Sequence, residues 1–531
     1  MPGPLTILVG GTVVDGGGGP PFAADVRMEG RFIAAVDPPG RALPAGARVV
    51  DCTGLMIAPG FIDAHSHADN APFLPDPDPS KIGQGVTTEV VGNCGMSLAP
   101  RSERYAEVLS SYTDRLFPPT SWRGRSFADY WTEAEGAGLV TNAAPLVGQG
   151  TLRIAVMGLE NRPATREERV RMRGLLRAAL DAGAFGLSTG LIYPPGVFTD
   201  TDELVDLAGE LGSTVYASHI RGEGAHVEDS VDEALAIGRE ARVAVQISHH
   251  KATGRLNWGK TARTLARIDD ARRAGLRVGV DVYPYTAGST MLTACLPPWT
   301  QAGGHAALLE RLQDPAAVAA IRHDLETGLP GWDSELAAAG PDGIRISATA
   351  DHQFEGRSLA DIAARLGGDA IDALLTVLRQ ERLRASMILF SMHEDDVRRV
   401  LAYPRTMVGS DGLPPGLGGR PHPRQYGTFP RILGCYVREQ GLLSWESAIY
   451  KMTGLPADTF GLADRGRLAP GLTADVVVFD PKTVADAATY DHPVEPPVGI
   501  VQVYLGGDLV VQGTRYVGRR QGRRLRHPNL R

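Results

Sequence analysis

The fold of this chain is constrained most by a long alternation of short apolar segments with amphipathic helical segments. Helical patterns at residues 167–182 (with Thr165 as a possible N-cap), 202–211 and 227–240 separate apolar segments of strand length. Strands that alternate with helices in this way form a parallel sheet or barrel. Eight such strands are predicted, at residues 61–64, 88–91, 142–147, 184–187, 214–218, 244–248, 277–282 and 406–409. We therefore predict an α/β protein built on a (β/α)8 TIM-like barrel.

The two ends of the chain are rich in predicted strands instead. The first 59 residues suggest strands at 6–9, 12–15, 25–29, 32–36 and 49–51, and the C-terminal region suggests strands at 475–480, 500–505 and 509–511. Gly506 and Gly507 between the last two strands are typical of a hairpin turn. We predict that residues 1–59 and 463–531 form one small β-sandwich domain and that residues 60–462 form the catalytic barrel.

The last unit of the predicted barrel is much longer than one crossover connection requires. Residues 282–406 contain additional helical patterns at 361–365, 370–380 and 394–401. Residues 288–345 are rich in Gly and Pro and precede those helices. Long insertions of this kind often cover the mouth of a barrel, so we predict an insertion or lid at about 288–345.

Composition excludes several classes of protein. The chain has 531 residues, 43% hydrophobic and 22% charged, with a net charge of −7, which argues against nucleic acid as the main partner. It contains no uninterrupted apolar stretch of about 18 residues, so we expect no membrane span. Four Cys do not make a disulfide framework, and no signal-peptide pattern is visible, so we expect a cytoplasmic protein. The basic run at 519–526 is interpreted as a solvated tail.

Residues that bind metals follow directly after the predicted strands. His65 and His67 occur at i, i+2 after the first strand, a spacing that puts both imidazoles on one face. In a barrel the carboxyl ends of all strands meet at one face, where active sites lie. The candidate ligands at these positions are His65, His67, Cys94, His219, His249 and Asp411. A thiolate among imidazoles and a carboxylate favours zinc over the hard cations.

This donor set predicts a hydrolase. Bound zinc can lower the pKa of water to about 7. A carboxylate beside that water can take its proton and pass it to a leaving nitrogen, and Asp411 is predicted to be this general acid and base. The reaction class would be metal-assisted hydrolysis of a carbonyl or related centre.

The motifs around these residues resemble those of the amidohydrolase superfamily, over essentially the whole chain. The segments 49–63 and 470–480 resemble the sequences that flank the barrel in that superfamily. The resemblance is closest to the D-aminoacylase (N-acyl-D-amino-acid deacylase) family. It rests on residues 92–95 (GNCG), 188–195 (STGLIYPP), 218–223 (SHIRGE), 247–251 (ISHHK), 283–289 (YPYTAGS), 409–414 (GSDGLP) and 420–424 (RPHPR). Most of the superfamily places a carboxylated Lys or a Glu on strand four, whereas here Cys94 takes that place.

The resemblance implies zinc-dependent hydrolysis of N-acyl-D-amino acids to a carboxylate and the free D-amino acid. Cys94, His219 and His249 would hold one tightly bound zinc. His65, His67 and Asp411 would line a second, weaker metal position. The substrate carboxylate would be held by Lys251, Tyr193, Ser289, Arg424 and Tyr283, although Tyr193, Tyr283 and Ser289 have a structural alternative as contacts at the barrel mouth. The substrate would be a small molecule, and the protein a monomer or small homo-oligomer.

The side-chain pocket is expected at residues 289–296, with Leu296 among the residues that contact the substrate. Family members selective for acidic side chains place an Arg in this region, and this chain has none between Arg277 and Arg311. An apolar side chain is therefore favoured, unless the lid determines selectivity elsewhere. Two alternatives stay open: another amidohydrolase reaction, such as hydrolysis of D-residue dipeptides or cyclic amides, and a non-catalytic scaffold.

Overall fold

The structure of the protein is a computed structural model that describes residues 5–114, 117, 122, 124–414 and 418–528. Its largest sheet has nine strands and is built from both ends of the chain. The strands are β1 (Leu5–Val13), β2 (Phe22–Glu29), β3 (Phe32–Asp37), β4 (Arg48–Asp51), β5 (Met56–Pro59), β18 (Val476–Phe479), β19 (Ile500–Leu505), β20 (Asp508–Gln512) and β21 (Arg515–Tyr516). The two ends meet where β5 pairs antiparallel with β18, with Ala58 opposite Val477.

One expectation for the N-terminal strands needs correction, and one for the C-terminal strands is confirmed. Residues 6–15 were expected to form two strands, but β1 is a single strand with an irregularity between Leu8 and Gly11. Gly10, with φ 73°, allows this irregularity, and its amide donates to Asp25 Oδ1 at 3.0 Å. The hairpin turn at Gly506 and Gly507 is confirmed, since β19 and β20 pair antiparallel on either side of it.

The basic run at 519–526 is not a solvated tail. Arg520 donates to the carbonyl oxygen of Pro72 at 2.6 Å, and the Gly522 amide donates to Leu139 at 2.8 Å. The guanidinium of Arg524 lies 5.5 Å from the centre of the Phe127 ring. Arginine packs in this way because its aliphatic stem and planar guanidinium cover apolar surface while the guanidinium N–H groups donate to nearby oxygens.

The parallel strands of the middle of the chain are all present. They are β6 (Phe61–Asp63), β7 (Val86–Val91), β8 (Asn142–Pro145), β9 (Val147–Gly148), β10 (Gly186–Gly190), β11 (Val215–His219), β12 (Ala244–Ile247), β13 (Val278–Val282) and β17 (Thr406–Val408). Strands β6, β7 and β8 form one parallel sheet, and the other six form a second, in the order β17-β13-β12-β11-β10-β9. Each of the eight predicted strands overlaps one of these, and the segment 142–147 is divided between β8 and β9. The amide of Ala64, just after β6, donates to Val408 in β17 at 3.1 Å.

Sixteen α-helices are present in the described residues. They are α1 (Ala106–Thr113), α2 (Phe127–Ala137), α3 (Gln149–Met157), α4 (Arg166–Asp181), α5 (Thr201–Ala208), α6 (Val227–Ala241), α7 (Thr261–Arg273), α8 (His305–Arg311), α9 (Pro315–Thr327), α10 (Glu335–Gly343), α11 (Leu359–Leu366), α12 (Ala370–Gln380), α13 (Glu394–Ala402), α14 (Arg424–Arg431), α15 (Trp445–Met452) and α16 (Gly454–Phe460). The predicted cap at Thr165 is confirmed, since its hydroxyl accepts from the Glu168 amide at 3.2 Å.

The long segment between β13 and β17 contains a sheet that the sequence did not predict. Its strands are β14 (Gly288–Met291), β15 (Ile344–Ala348) and β16 (Ser386–Leu389), all antiparallel. The sheet and helices α11 and α12 share an apolar cluster of their own, which includes Leu292, Leu308 and Leu374. The predicted helices at 361–365, 370–380 and 394–401 correspond to α11, α12 and α13.

No helix in the part of the chain that the structure describes combines the length and the apolar character needed to cross a membrane.

Candidate metal centre

The six predicted metal ligands lie at the carboxyl ends of five parallel strands and are all buried. His65 and His67 follow β6, Cys94 follows β7, and Asp411 follows β17. His219 ends β11, and His249 follows β12. Potential ligand atoms of His65, Cys94, His249 and Asp411 lie within 4.8 Å of one another. The strand ends thus bring these side chains to one place.

Cys94 is at the centre of the cluster. Its Sγ lies 3.4 Å from His65 Nε2, 3.4 Å from His249 Nε2 and 3.6 Å from His219 Nδ1. Two ligands bound tetrahedrally to zinc, one by sulfur and one by nitrogen, would be separated by about 3.6 Å, given the usual bond lengths. The donor set and its spacing therefore fit a zinc ion. The distances do not single out His219 over His65 as a partner of Cys94.

The Cys94 thiol has the electrostatic environment of a metal ligand. Burial alone would raise the pKa of the thiol, but the neighbouring His65 and His249 hold it well below its ordinary value. The thiolate is the form that binds metals. Cys94, His249 and Asp411 also have positive φ values, of 53°, 35° and 50°, among only seven such non-glycine residues described. Strained backbone of this kind concentrates at functional sites.

Asp411 lies between two histidines and an arginine. Its Oδ1 is 3.1 Å from His67 Nε2 and 3.5 Å from His65 Nε2, and its Oδ2 is 2.9 Å from Arg424 Nη1. Burial would raise the pKa of Asp411, but Arg424 and the histidines hold it well below its ordinary value. The carboxylate is therefore ionised and able to accept a proton.

Two acidic residues that sequence reasoning did not assign hold the histidines in place. Asp281, in β13, lies 3.1 Å from His65 Nδ1 and accepts from the His249 amide at 2.7 Å. Glu223 lies 3.1 Å from His249 Nδ1. Carboxylates that bond the second nitrogen of a metal-binding imidazole fix its orientation. The sequence did hold a signal for Asp281. It is an acidic residue inside the apolar strand 278–282, and a buried acid needs a partner.

The residues predicted to bind the substrate carboxylate mostly surround one cavity. Lys251, Tyr193, Ser289, Arg424 and Tyr283 all line it, together with Asp411 and Cys94. The ammonium of Lys251 lies 2.6 Å from Glu223 Oε1. The Tyr283 ring lies between two cations, 5.7 Å from Lys251 Nζ and 4.8 Å from Arg424 Cζ. The cavity opens to solvent, and its empty space, open mouth included, is about 560 Å³.

Leu296 is not brought to this cavity. Its side chain is buried in the apolar cluster of the insertion. The apolar side chains that line the cavity are instead Met96, Ile192, Leu389 and Leu413. Tyr193 donates or accepts a hydrogen bond with Thr290 Oγ1 at 2.9 Å, which gives it a structural contact as well as a place in the cavity wall.

Known proteins are similar to this chain over nearly its full length. A model of the amidohydrolase family matches residues 48–511. The chain is 41% identical over 522 residues to a D-aminoacylase of Alcaligenes xylosoxydans xylosoxydans, across 98% of this chain and 97% of the relative. It is 42% identical over 512 residues to an N-acyl-D-glutamate deacylase of that organism, across 95% and 93%.

A solved structure agrees with these relatives. The N-acyl-D-glutamate deacylase of Bordetella bronchiseptica, crystallised with zinc and a phosphonate mimic of the tetrahedral intermediate, is 38% identical and superposes with a TM-score of 0.80. The superposition covers 98% of this chain and 99% of that one. The chain belongs to the amidohydrolase family.

Proposed function

We propose that the protein is a metal-dependent hydrolase that cleaves N-acyl-D-amino acids to a carboxylate and the free D-amino acid. The observation that carries this proposal is the cluster of Cys94, His65, His249 and Asp411 at one cavity. The cluster occurs in a chain 41% identical, over nearly its full length, to a D-aminoacylase. The preference for the D configuration rests on that likeness.

Zinc is the metal that this donor set favours, because thiolate and imidazole are its preferred ligands. Cys94, His219 and His249 would hold the tightly bound ion, and His65, His67 and Asp411 would line a second, weaker position. When bound, zinc acts as a Lewis acid that polarises a carbonyl and makes water more acidic. Asp281 and Glu223 keep His65 and His249 oriented toward the ion.

Asp411 would be the general base and then the general acid. Its carboxylate is ionised and borders the cavity, so it can take the proton of the attacking water at one oxygen. It can then give that proton to the nitrogen of the leaving amino acid. Lys251 and Arg424 provide the charge-assisted donors that a substrate carboxylate needs. Arg424 forms an ion pair with Asp411 through Nη1 and donates from Nη2 to the carbonyl oxygen of Ser289 at 3.0 Å, so it connects the base with the substrate site.

The side chain of the substrate is proposed to be apolar, because Met96, Ile192, Leu389 and Leu413 line the cavity. Derivatives of leucine, methionine and phenylalanine are the first candidates. The relatives named for acidic substrates are as similar as the D-aminoacylase, so identity alone does not decide this preference.

The finer architecture is also a proposal. The hydrogen bond from Ala64 to Val408 and the bond from the Leu146 amide to Val91 at 2.8 Å support closure of the two parallel sheets into one eight-stranded barrel. Residues 60–462 would be this barrel, and residues 1–59 with 463–531 a small β-sandwich domain. Residues 288–345 would be the lid. We further propose a cytoplasmic enzyme that acts as a monomer or small homo-oligomer.

A substrate screen tests the proposed function. The zinc-loaded enzyme would be assayed with N-acetyl derivatives of D- and L-leucine, methionine and phenylalanine, and with D-residue dipeptides and cyclic amides. We expect cleavage of the N-acetyl-D-amino acids. Cleavage of the L series alone would contradict the proposal, and faster turnover of dipeptides or cyclic amides would favour those reactions instead. A protein without bound zinc that stays inactive after zinc is added would be a scaffold.

A further inference from the structure

Glu335 is an acidic residue in the cavity wall that the proposed mechanism does not use. It is the first residue of α10, within the insertion between β13 and β17. Its side chain is only 9% exposed and lines the same cavity as Lys251 and Asp411. Thr253 and Ser391 also line this cavity. The insertion thus contributes a buried carboxyl group to the substrate cavity.

This carboxyl group lacks the protein partner that buried acids normally have. Among the residues that the structure describes, none makes a hydrogen bond with its buried Oε2 atom. Burial, and to a lesser extent the neighbouring Glu223, raises the pKa of Glu335 to about 8. A buried carboxylate without a donor is costly, so the group is mostly protonated at neutral pH when no ligand is bound, and a ligand that supplies a cation or N–H donor would favour its ionised, accepting form.

The two cations in this cavity are already engaged. Lys251 lies 2.6 Å from Glu223, and Arg424 lies 2.9 Å from Asp411. Both are also assigned to the carboxylate that every substrate carries. An acidic substrate side chain would therefore meet a second carboxyl group without a cation left to balance it. A side chain that ends in an N–H donor or a cation would instead satisfy Glu335.

We propose that Glu335 determines side-chain specificity by accepting a hydrogen bond from an ammonium, guanidinium or amide N–H at the end of an aliphatic substrate side chain. The same carboxyl group disfavours acidic side chains. Leu389 and Ile192, which line the same cavity, would contact the aliphatic stem, so the inference narrows the apolar preference proposed above to aliphatic side chains that end in an N–H donor. This inference rests on the proposed function and names the substrate class within it.

Two matched substrate pairs test the role of Glu335. N-acetyl-D-lysine and N-acetyl-D-norleucine differ in the terminal ammonium, and N-acetyl-D-glutamine and N-acetyl-D-glutamate differ in the terminal amide. We expect Glu335→Gln to lower the lysine-to-norleucine ratio of kcat/KM by about 10-fold or more, the range of a charge-assisted hydrogen bond. The glutamine-to-glutamate ratio should fall as well. Glu326→Gln is the control, since Glu326 is exposed in the same insertion, and its ratios should equal those of the wild type.

The results separate this inference from the proposed function. Unchanged ratios in Glu335→Gln, with N-acetyl-D-amino acids still cleaved, would overturn only the role of Glu335. Failure of the wild type to cleave any N-acetyl-D-amino acid would overturn the proposed function and this inference with it. Inhibition of the wild type by the free products adds a measurement that needs no variant. D-lysine should inhibit more strongly than D-norleucine, and equal or weaker inhibition by D-lysine would overturn the inference even if Glu335→Gln does not fold.

Discussion

Asp411 has surroundings that suit the general acid and base proposed above. Its two oxygens face different partners, the histidines on one side and Arg424 on the other. The oxygen next to the histidines can contact a metal, while the environment keeps the group ionised. A carboxylate in this position can move a proton during the reaction without being the main holder of the tight ion.

Asp411→Asn tests this separation of roles. An amide cannot accept and return the proton, so we expect kcat to fall by about 10²–10⁴-fold. The tight metal should stay, because Cys94, His219 and His249 are unchanged. Turnover and zinc content of the purified variant are the measurements, with the exposed Asp395→Asn as the control. Near-normal activity in Asp411→Asn would show that another group is the base.

Asp281 is predicted to act through the histidines that it contacts. Asp281→Asn weakens the hold on His65 Nδ1, so we expect metal affinity to fall by about 10–100-fold, as is typical for residues that orient metal ligands. Competition with a chromogenic chelator measures this affinity. A value unchanged from the wild type would mean that Asp281 serves the packing of β13 alone.

The clustering of the candidate ligands could be predicted from the sequence, but the contacts of the residues that support them could not. His65, His67 and Cys94 follow apolar strands, and that position is visible in the order of residues. The contacts of Asp281 and Glu223 join residues that are distant in the chain, as with Asp281 and His65, 216 positions apart. Only the packed structure shows such pairs.

At the level of helices and strands, the spacing of apolar residues was sufficient to predict an element that packs against the core through one face. Helix α12 begins and ends as predicted, because its apolar residues recur at helical spacing. Strands β14, β15 and β16 were not predicted. The first reads GSTM, without a strong strand signal, and its partner β16 follows almost 100 residues later. Pairing over such a distance leaves no local signal, so the insertion was expected to be less regular than it is.

A buried ion pair between two of these helices gives a prediction for stability. Arg153 in α3 and Glu203 in α5 are fully buried, with Nη1 and Oε2 2.5 Å apart. Glu203→Ala would leave the arginine charge buried and unpaired, which costs about 3–5 kcal/mol. Urea denaturation should show this loss of stability. Glu103→Ala, which removes the exposed ion pair with Arg125, is the control and should change the free energy of unfolding by less than about 1 kcal/mol. A small effect of Glu203→Ala would mean that water reaches Arg153.

At the level of the whole molecule, the two ends of the chain depend on each other. The pairing of β5 with β18 joins residues more than 400 positions apart, and the β-rich character of both ends predicted that they would fold together. The prediction that the basic run at 519–526 is a solvated tail is wrong. Arg520 donates to a backbone carbonyl and Arg524 packs on an aromatic ring, and only the folded chain brings these partners together. The two ends of the chain, which flank the site-bearing segment in sequence, therefore form one sheet.

The central claim is that a metal held by Cys94 and its histidine neighbours is required for hydrolysis of an N-acyl-D-amino acid. The most direct measurement is a titration of zinc into the metal-free enzyme, with turnover of N-acetyl-D-methionine as the readout and Cys94→Ala in parallel. We predict that the metal-free enzyme is inactive and that its activity rises to a plateau near one equivalent of zinc. Cys94→Ala should neither retain zinc nor recover activity at one equivalent of zinc. Equal turnover by the metal-free and zinc-loaded enzymes, or a Cys94→Ala variant that binds and responds to zinc as the wild type does, would contradict the account.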